Sequence, residues 1–257
     1  LRVEGVFSGT EATLLATLPV FGLIALIGSL ASRIPGPQKK EARTRPGLGE
    51  AFQELKKSDY LWWMLGLIVL VQVVITLIDY QYNVILESAY PDTDERTQVA
   101  GQVYASISVI AIVLQVVSGL LLRFLGVPAV LLLVPVLLGA AIAAAATIPR
   151  FSILASLKVG SKAFDYSLFK AAKEILYIPL TYAEKTAGKA AVDMFAYRFA
   201  KGGAALVVAA LVAADFANGI PWLSLLTVGL WIAVTWRIVV GYRRKVSRTE
   251  EIYGPEA

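Results

Sequence analysis

Seven apolar windows of roughly bilayer length, joined by short polar connections, constrain this chain more than any other feature. A helix needs about 20 mostly apolar residues to cross the hydrocarbon core of a bilayer. The windows fall at about 12–32, 60–86, 99–123, 127–148, 151–178, 187–214 and 221–241. Inside lipid every backbone N–H and C=O must be paired within the segment, so windows of this length are read as helices. The expected fold is therefore an all-α, polytopic membrane helix bundle. Composition agrees: 57% of the 257 residues are hydrophobic and 17% are charged, against about 25% charged in soluble domains. The chain has neither cysteine nor histidine. That removes disulfides, thiolate nucleophiles, the commonest metal ligand and the usual neutral-pH general base. No catalytic residue, metal or cofactor is expected, and the chain is read as no enzyme.

Loop charge sets the expected orientation. The connection at 33–59 holds Arg33, Lys39, Lys40, Arg43, Arg45, Lys56 and Lys57. The tail holds Arg243, Arg244, Lys245 and Arg248, with Arg237 just before it. Both belong on the cytoplasmic side, and the intervening crossings are consistent with that. The acidic loop at 87–96 then faces out. Trp62, Trp63, Trp222 and Trp236 fall where an interfacial aromatic belt is expected. Glu4 and Glu11 flank the first window, so it is not read as a signal peptide. Because the chain starts at Leu1, it is expected to be a piece of a longer protein. Residues 1–32 would hold the last helix of a missing N-terminal half, 33–59 a basic linker, 60–242 a six-helix bundle and 243–257 a cytoplasmic tail. A bacterial inner membrane is the expected location. A long basic linker followed by two groups of three spans is the layout of half a twelve-helix secondary transporter. Gly119 and Gly126 around Arg123 are a faint trace of the glycine-and-charge turn of such carriers.

The fifth and sixth windows depart from the rest by carrying charge. On a helix turning about 100° per residue, Lys162, Asp165 and Lys173 lie within roughly 60° of Lys158, with Tyr166 beside them. Lys170 and Glu174 widen the same polar side. In the sixth window Asp193, Tyr197 and Lys201 are spaced by four and share a face, with Lys189 near one end and Arg198 turned away. A lysine or aspartate at a helix centre costs roughly 2.5–3.5 kcal/mol on insertion scales. Each Leu or Ile returns only about 0.3–0.6 kcal/mol. The charged face therefore turns to partners on another helix or to a water-filled cavity. Between 158 and 201 eight basic residues stand against four acidic ones. Either the excess attracts anions, or the group is a self-neutralised ion network. Asp79, among Tyr80, Gln81, Tyr82 and Asn83, either pairs with one of these lysines, lines a cavity or snorkels to the outer interface.

Other motifs are excluded. Gly188-Lys189 is no phosphate-binding P-loop, since Ala183 and Ala190 stand where a Gly and a Ser or Thr are required. The basic tail beside the last window is a topology and lipid-headgroup signal, so no nucleic-acid partner is expected.

The stretches YSLFKAAKEILYIPL (166–180) and KTAGKAAVDMFAYRFAKGG (185–203) resemble the ATP/ADP antiporter family of plastids and intracellular bacteria. Matching positions are Lys173, Glu174, Lys189, Asp193, Arg198 and Lys201. The family pattern has a Lys before the Tyr and an Asp after the Phe. This chain has Asp165 and Lys170 there, a swap of signs, and it has Ala200-Lys201-Gly202 where the pattern has Gly-Lys-Ser. The resemblance implies a major-facilitator-like twelve-helix carrier, of which this chain is the C-terminal six-helix half plus one preceding helix. It implies ATP binding and nucleotide exchange by alternating access through a positively charged central cavity. The substrate-binding candidates are Lys158, Lys162, Lys173, Lys189, Arg198 and Lys201, with Tyr166 and Tyr197. The charge-pairing and gating candidates are Asp79, Asp165, Lys170, Glu174 and Asp193. Expected partners are a nucleotide or other anionic solute, the bilayer and the N-terminal half. Two alternatives stay open: a facilitator of another solute, proton-coupled through Asp79, Asp165 or Asp193, and a membrane sensor or scaffold without transport.

Overall fold

A computed structural model describes residues 9–31 and 48–253. The linker cations Arg33, Lys39, Lys40, Arg43 and Arg45 lie outside the described residues, as does the end of the tail. Helix α1, Gly9–Ala31, belongs to its own unit, Leu1–Arg45. Its 23 residues are mostly apolar, and Leu18, Phe21, Leu23 and Ile24 are all exposed.

The second unit, Pro46–Ala257, contains the other helices. A short helix α2, Leu48–Lys57, leads into α3, Asp59–Ala89. Next come α4, Thr93–Thr147, then α5, Phe151–Phe164, a π-helical turn, Asp165–Phe169, and α6, Lys170–Leu176. A second π-helical turn, Glu184–Gly188, opens α7, Lys189–Ala213, and α8, Ile220–Tyr253, follows. No strand occurs among the described residues. The molecule is an all-α polytopic membrane bundle.

Helix α4 spans 55 residues, or about 80 Å at 1.5 Å per residue, far more than one bilayer crossing. It is two helices. Gly126, at φ 79°, ψ 156°, interrupts the helical backbone between the third and fourth apolar windows. Glycine tolerates this conformation, and Val127-Pro128 follows directly. Asp92 caps the first arm by accepting from the amides of Asp94 (3.0 Å) and Glu95 (2.9 Å). The run from α5 to α6 covers the fifth window and is long enough to cross. Its lysines keep it below the hydropathy that marks α3, α4, α7 and α8 as bilayer-spanning. Helix α8 runs past the expected end of its window to Tyr253, taking in residues read as a separate tail. No Gly or Pro occurs between Tyr242 and Tyr253 to stop it.

Helix α3 is the hub. It packs against α5, α7 and α8 and is buried on nearly all sides through Leu67, Ile68, Val71, Val74, Ile75 and Ile78. Helices apolar all round occupy such central positions. The face of α7 against it is a ladder at every fourth residue: Val192, Ala196, Ala200, Ala204 and Val208, all buried. Lipid tails match Leu in apolarity, so membrane helices associate through close packing of such small residues. Gly188 extends this approach, because a Cβ there would collide with the Leu61 side chain. Gly139 does the same for the second arm of α4, where a Cβ would meet Val228 of α8 at 3.0 Å. Trp62, Trp63, Trp222 and Trp236 are exposed on the outer surface. We expect Gly126→Val to strain the α4 turn and cost about 1–3 kcal/mol, read as a lower unfolding midpoint of the detergent-solubilised protein. Gly202→Ala, in open space, should leave the midpoint unchanged or raise it.

Candidate functional site

Lys158 and Lys162 of α5, Lys173 and Glu174 of α6, and Lys189 and Asp193 of α7 fall into ion pairs. Asp79 of α3 sits between Lys158 and Lys162, one turn apart on α5. Its Oδ2 lies 2.7 Å from Lys162 Nζ and its Oδ1 3.5 Å from Lys158 Nζ. Lys158 is 2% exposed, so its charge needs more than one distant oxygen. Tyr82, one turn along α3, presents its ring 4.2 Å from the ammonium, and Tyr104 of α4 presents another at 5.0 Å. Desolvated cation–ring contacts are each worth about 2 kcal/mol. Asp79 therefore pairs with both lysines, the first of the three roles left open for it.

The π-helical turn at Asp165–Phe169 shifts the register beyond it by about one residue relative to a regular α-helix. The regular extrapolation placed Lys173 on the face of Lys158 and Lys162. In the structure Lys173 instead pairs with Asp193 Oδ1 of α7 at 3.0 Å, and the Tyr197 ring lies 5.4 Å from its ammonium. Glu174 pairs with Lys189, whose ammonium also lies 5.2 Å from the Tyr177 ring. Asp165 stands between the two groups. Lys162, Lys173 and Lys201 are the cations whose charge acts on it. Gln72 of α3 lies beside it, its side-chain amide within interaction distance of the carboxylate.

Lys170, Tyr166, Arg198 and Lys201 are exposed. Among the described residues no carboxylate lies within ion-pair distance of Lys170, Arg198 or Lys201. Helices α5 and α7 both pack on α3 and share no extended interface with each other. The α5–α6 run meets α7 instead through the side-chain pairs Lys173–Asp193 and Glu174–Lys189. A groove of about 600 Å³ between α3 and α7 is lined by Thr76, Asp79, Asn83 and Val208 among others, and Asp79 reaches it from the Lys158–Lys162 pair.

Sequence reasoning counted Glu184 among the acidic residues but gave it no role. Its Oε2 accepts from the amide and hydroxyl of Thr181, each at 3.0 Å, and its Oε1 accepts from Ser58 Oγ at 2.6 Å. The Glu184 amide donates back to Thr181 Oγ1 at 3.4 Å. This is a reciprocal capping box, legible in the chain as Thr181-x-x-Glu184. It ties the start of α7 to the α2–α3 junction. Tyr82, Tyr104 and Gln72 were also missed, because nothing local in the sequence sets them near α5.

Two outcomes follow. Asp79→Asn leaves two cations without a counter-charge, Lys158 among them fully buried, and should cost about 3–5 kcal/mol. Adding Lys158→Met should restore much of that loss in denaturation midpoints. Separately, Lys173→Asp combined with Asp193→Lys should retain more stability than either single change, with a coupling of about 0.5–3 kcal/mol in a double-mutant cycle.

The comparisons bear on this arrangement. The TLC ATP/ADP transporter family model matches residues 31–244. The chain is 26% identical over 221 residues to ADP,ATP carrier protein 1 of Chlamydia pneumoniae, covering 78% of this chain and 43% of that protein. It is 29% identical over 192 residues to ADP,ATP carrier protein 1 of Chlamydia muridarum, covering 65% and 36%. It is 27% identical over 221 residues to the chloroplastic ADP,ATP carrier protein 2 of Arabidopsis thaliana, covering 76% and 36%. The chain thus spans less than half the length of the curated relatives it matches. No solved structure matches it. With most of its length, including every charged pair described above, inside the matched region, the chain belongs to the TLC ATP/ADP transporter family.

Proposed function

We propose that this protein exchanges nucleotides of the ATP/ADP type, or a closely related organic anion, across a membrane by alternating access. The relatives are named as ADP,ATP carriers. The observation that carries the reading lies around Asp165. There the charges of Lys162, Lys173 and Lys201 act together; Asp79 and Asp193 hold the first two, and Lys201, at the middle of α7, has no carboxylate of its own among the described residues. In a low dielectric such a surplus favours an anion strongly. Lys201, Arg198 and Lys170 would meet substrate phosphates first. Lys158, Lys162, Lys173 and Lys189 would contribute by releasing Asp79, Asp193 and Glu174 as the protein changes side, with Tyr166 and Tyr197 flanking the route. An empty positive site is costly to reorient, which favours exchange over one-way release.

In this reading 60–242 is the C-terminal half of a twelve-helix, major-facilitator-like carrier, with 1–32 the last helix of its N-terminal half, 33–59 the linker and 243–257 the tail. Linker and tail are cytoplasmic by their lysines and arginines, and the membrane is a bacterial inner membrane. The protein transports and does not catalyse a covalent reaction.

The test is uptake of labelled ATP into proteoliposomes of the full-length protein preloaded with ADP. Uptake should require internal nucleotide. Lys201→Gln should weaken apparent ATP affinity roughly tenfold or more, the worth of one hydrogen bond to a charged group. Folded protein that takes up no more ATP than empty vesicles removes the proposal.

A further inference from the structure

The end of the bundle remote from the acidic loop carries a second basic hollow, away from the Asp165 region. Its volume is about 540 Å³. Lys57 of α2, Arg237, Arg244 and Lys245 of α8 supply four cations, against Asp59 and Glu184. Glu184 is already committed to Ser58, Thr181 and Lys245, the last at 3.8 Å. Lys245 also sits 5.5 Å from the Tyr60 ring, and Arg237 lies 6.0 Å from the ring of Trp63. The hollow has an aromatic wall because Gly241 lets Tyr60 come close: a Cβ at 241 would stand 3.2 Å from the ring. With Asp59 offsetting one more cation the hollow keeps a surplus of two, and Arg237 and Arg244 are the exposed cations that α8 brings to it.

What lies next to the hollow decides the ligand. At about 100° per residue, Leu226, Leu230, Ala233, Arg237, Val240 and Arg244 all fall within roughly 40° of one line along α8. Leu226 is 63% and Leu230 51% exposed. A single stripe thus runs from bare apolar surface at membrane depth up to the two arginines. Trp63 and Trp236 are exposed beside the arginines, at the level where aromatic rings meet headgroups. A soluble anion would use the cations but not the apolar stripe beneath them. An amphiphile would use both.

We propose that this hollow binds the phosphate of an anionic phospholipid in the leaflet at the C-terminal end of α8, with an acyl chain lying along Leu230 and Leu226. Arg237 and Arg244 hold the phosphate, and Trp63 packs the glycerol region. Basic pockets between helices recognise anionic headgroups in this way. The proposal does not depend on what the protein carries, since none of these residues belongs to the transport site proposed above.

The experiment is thermal unfolding of the full chain in zwitterionic detergent, titrated with phosphatidylglycerol, with phosphatidylcholine of the same chains, and with glycerol 3-phosphate. Phosphatidylglycerol should raise the midpoint saturably, and the other two should not. Each arginine near an anionic surface is worth about fivefold in affinity. Arg237→Gln with Arg244→Gln should therefore shift the titration midpoint at least about tenfold, Arg244→Gln alone by less, and Arg150→Gln at the other end not at all. An unchanged titration in both arginine variants overturns the proposal. So does equal stabilisation by phosphatidylcholine, and so does glycerol 3-phosphate binding as tightly as the lipid, which would make this a site for soluble anions.

Discussion

Charge in hydrocarbon has to be answered by charge, and in this bundle the answer that organises the rest is Asp79. It is the acidic side chain of α3 that faces α5, and it takes both lysines of that helix. Once that contact is made, the polar side of α5 is turned to the centre and its apolar side is free to meet the second arm of α4. Lys158 could not be 2% exposed on the strength of one oxygen at 3.5 Å. The rings of Tyr82 and Tyr104 complete its surroundings, so three helices converge on one ammonium.

The two charge-bearing crossings solve their insertion problem differently. The α5–α6 run buries Lys158 and Lys173 against carboxylates and rings, and its second half packs on α4 while Lys173 and Glu174 reach to α7. Helix α7 separates packing from chemistry by a single residue. Its Val192–Ala196–Ala200–Ala204 ladder lies against α3, while Asp193, Tyr197 and Lys201, each one position further on, stand about 100° round the helix. Small residues on the first face bring the second face within electrostatic reach of Asp165. The result is a set of fixed pairs with unmatched cations beside them, an arrangement suited to an anion that comes and goes.

Neutralisation also explains the ends of the bundle. Glu184 joins the start of α7 to the α2–α3 junction and holds Lys245 of α8, so three chain segments meet at one carboxylate. The arginines beyond it are left for whatever the membrane surface offers.

The sequence by itself determined the helical class, the presence of long apolar segments, the need to answer the charge in windows five and six, and the family resemblance. Each of these follows from composition along one helix, where lipid penalises every polar side chain and the period of the chain is known. It also contained the Thr181–Glu184 cap, since a capping box is local. Tertiary structure decided which carboxylate answers which lysine. Asp79 and Lys158 are 79 residues apart, and no periodicity connects them. Lys173 meets Asp193 of α7 beyond a π-helical turn, a change of register that an extrapolation at constant pitch could not contain. Gln72 and Tyr82 became part of the site only because α3 packs against α5, and Tyr104 because α4 does. Ion pairing between helices depends on distance in space, and space is set by how the apolar faces pack.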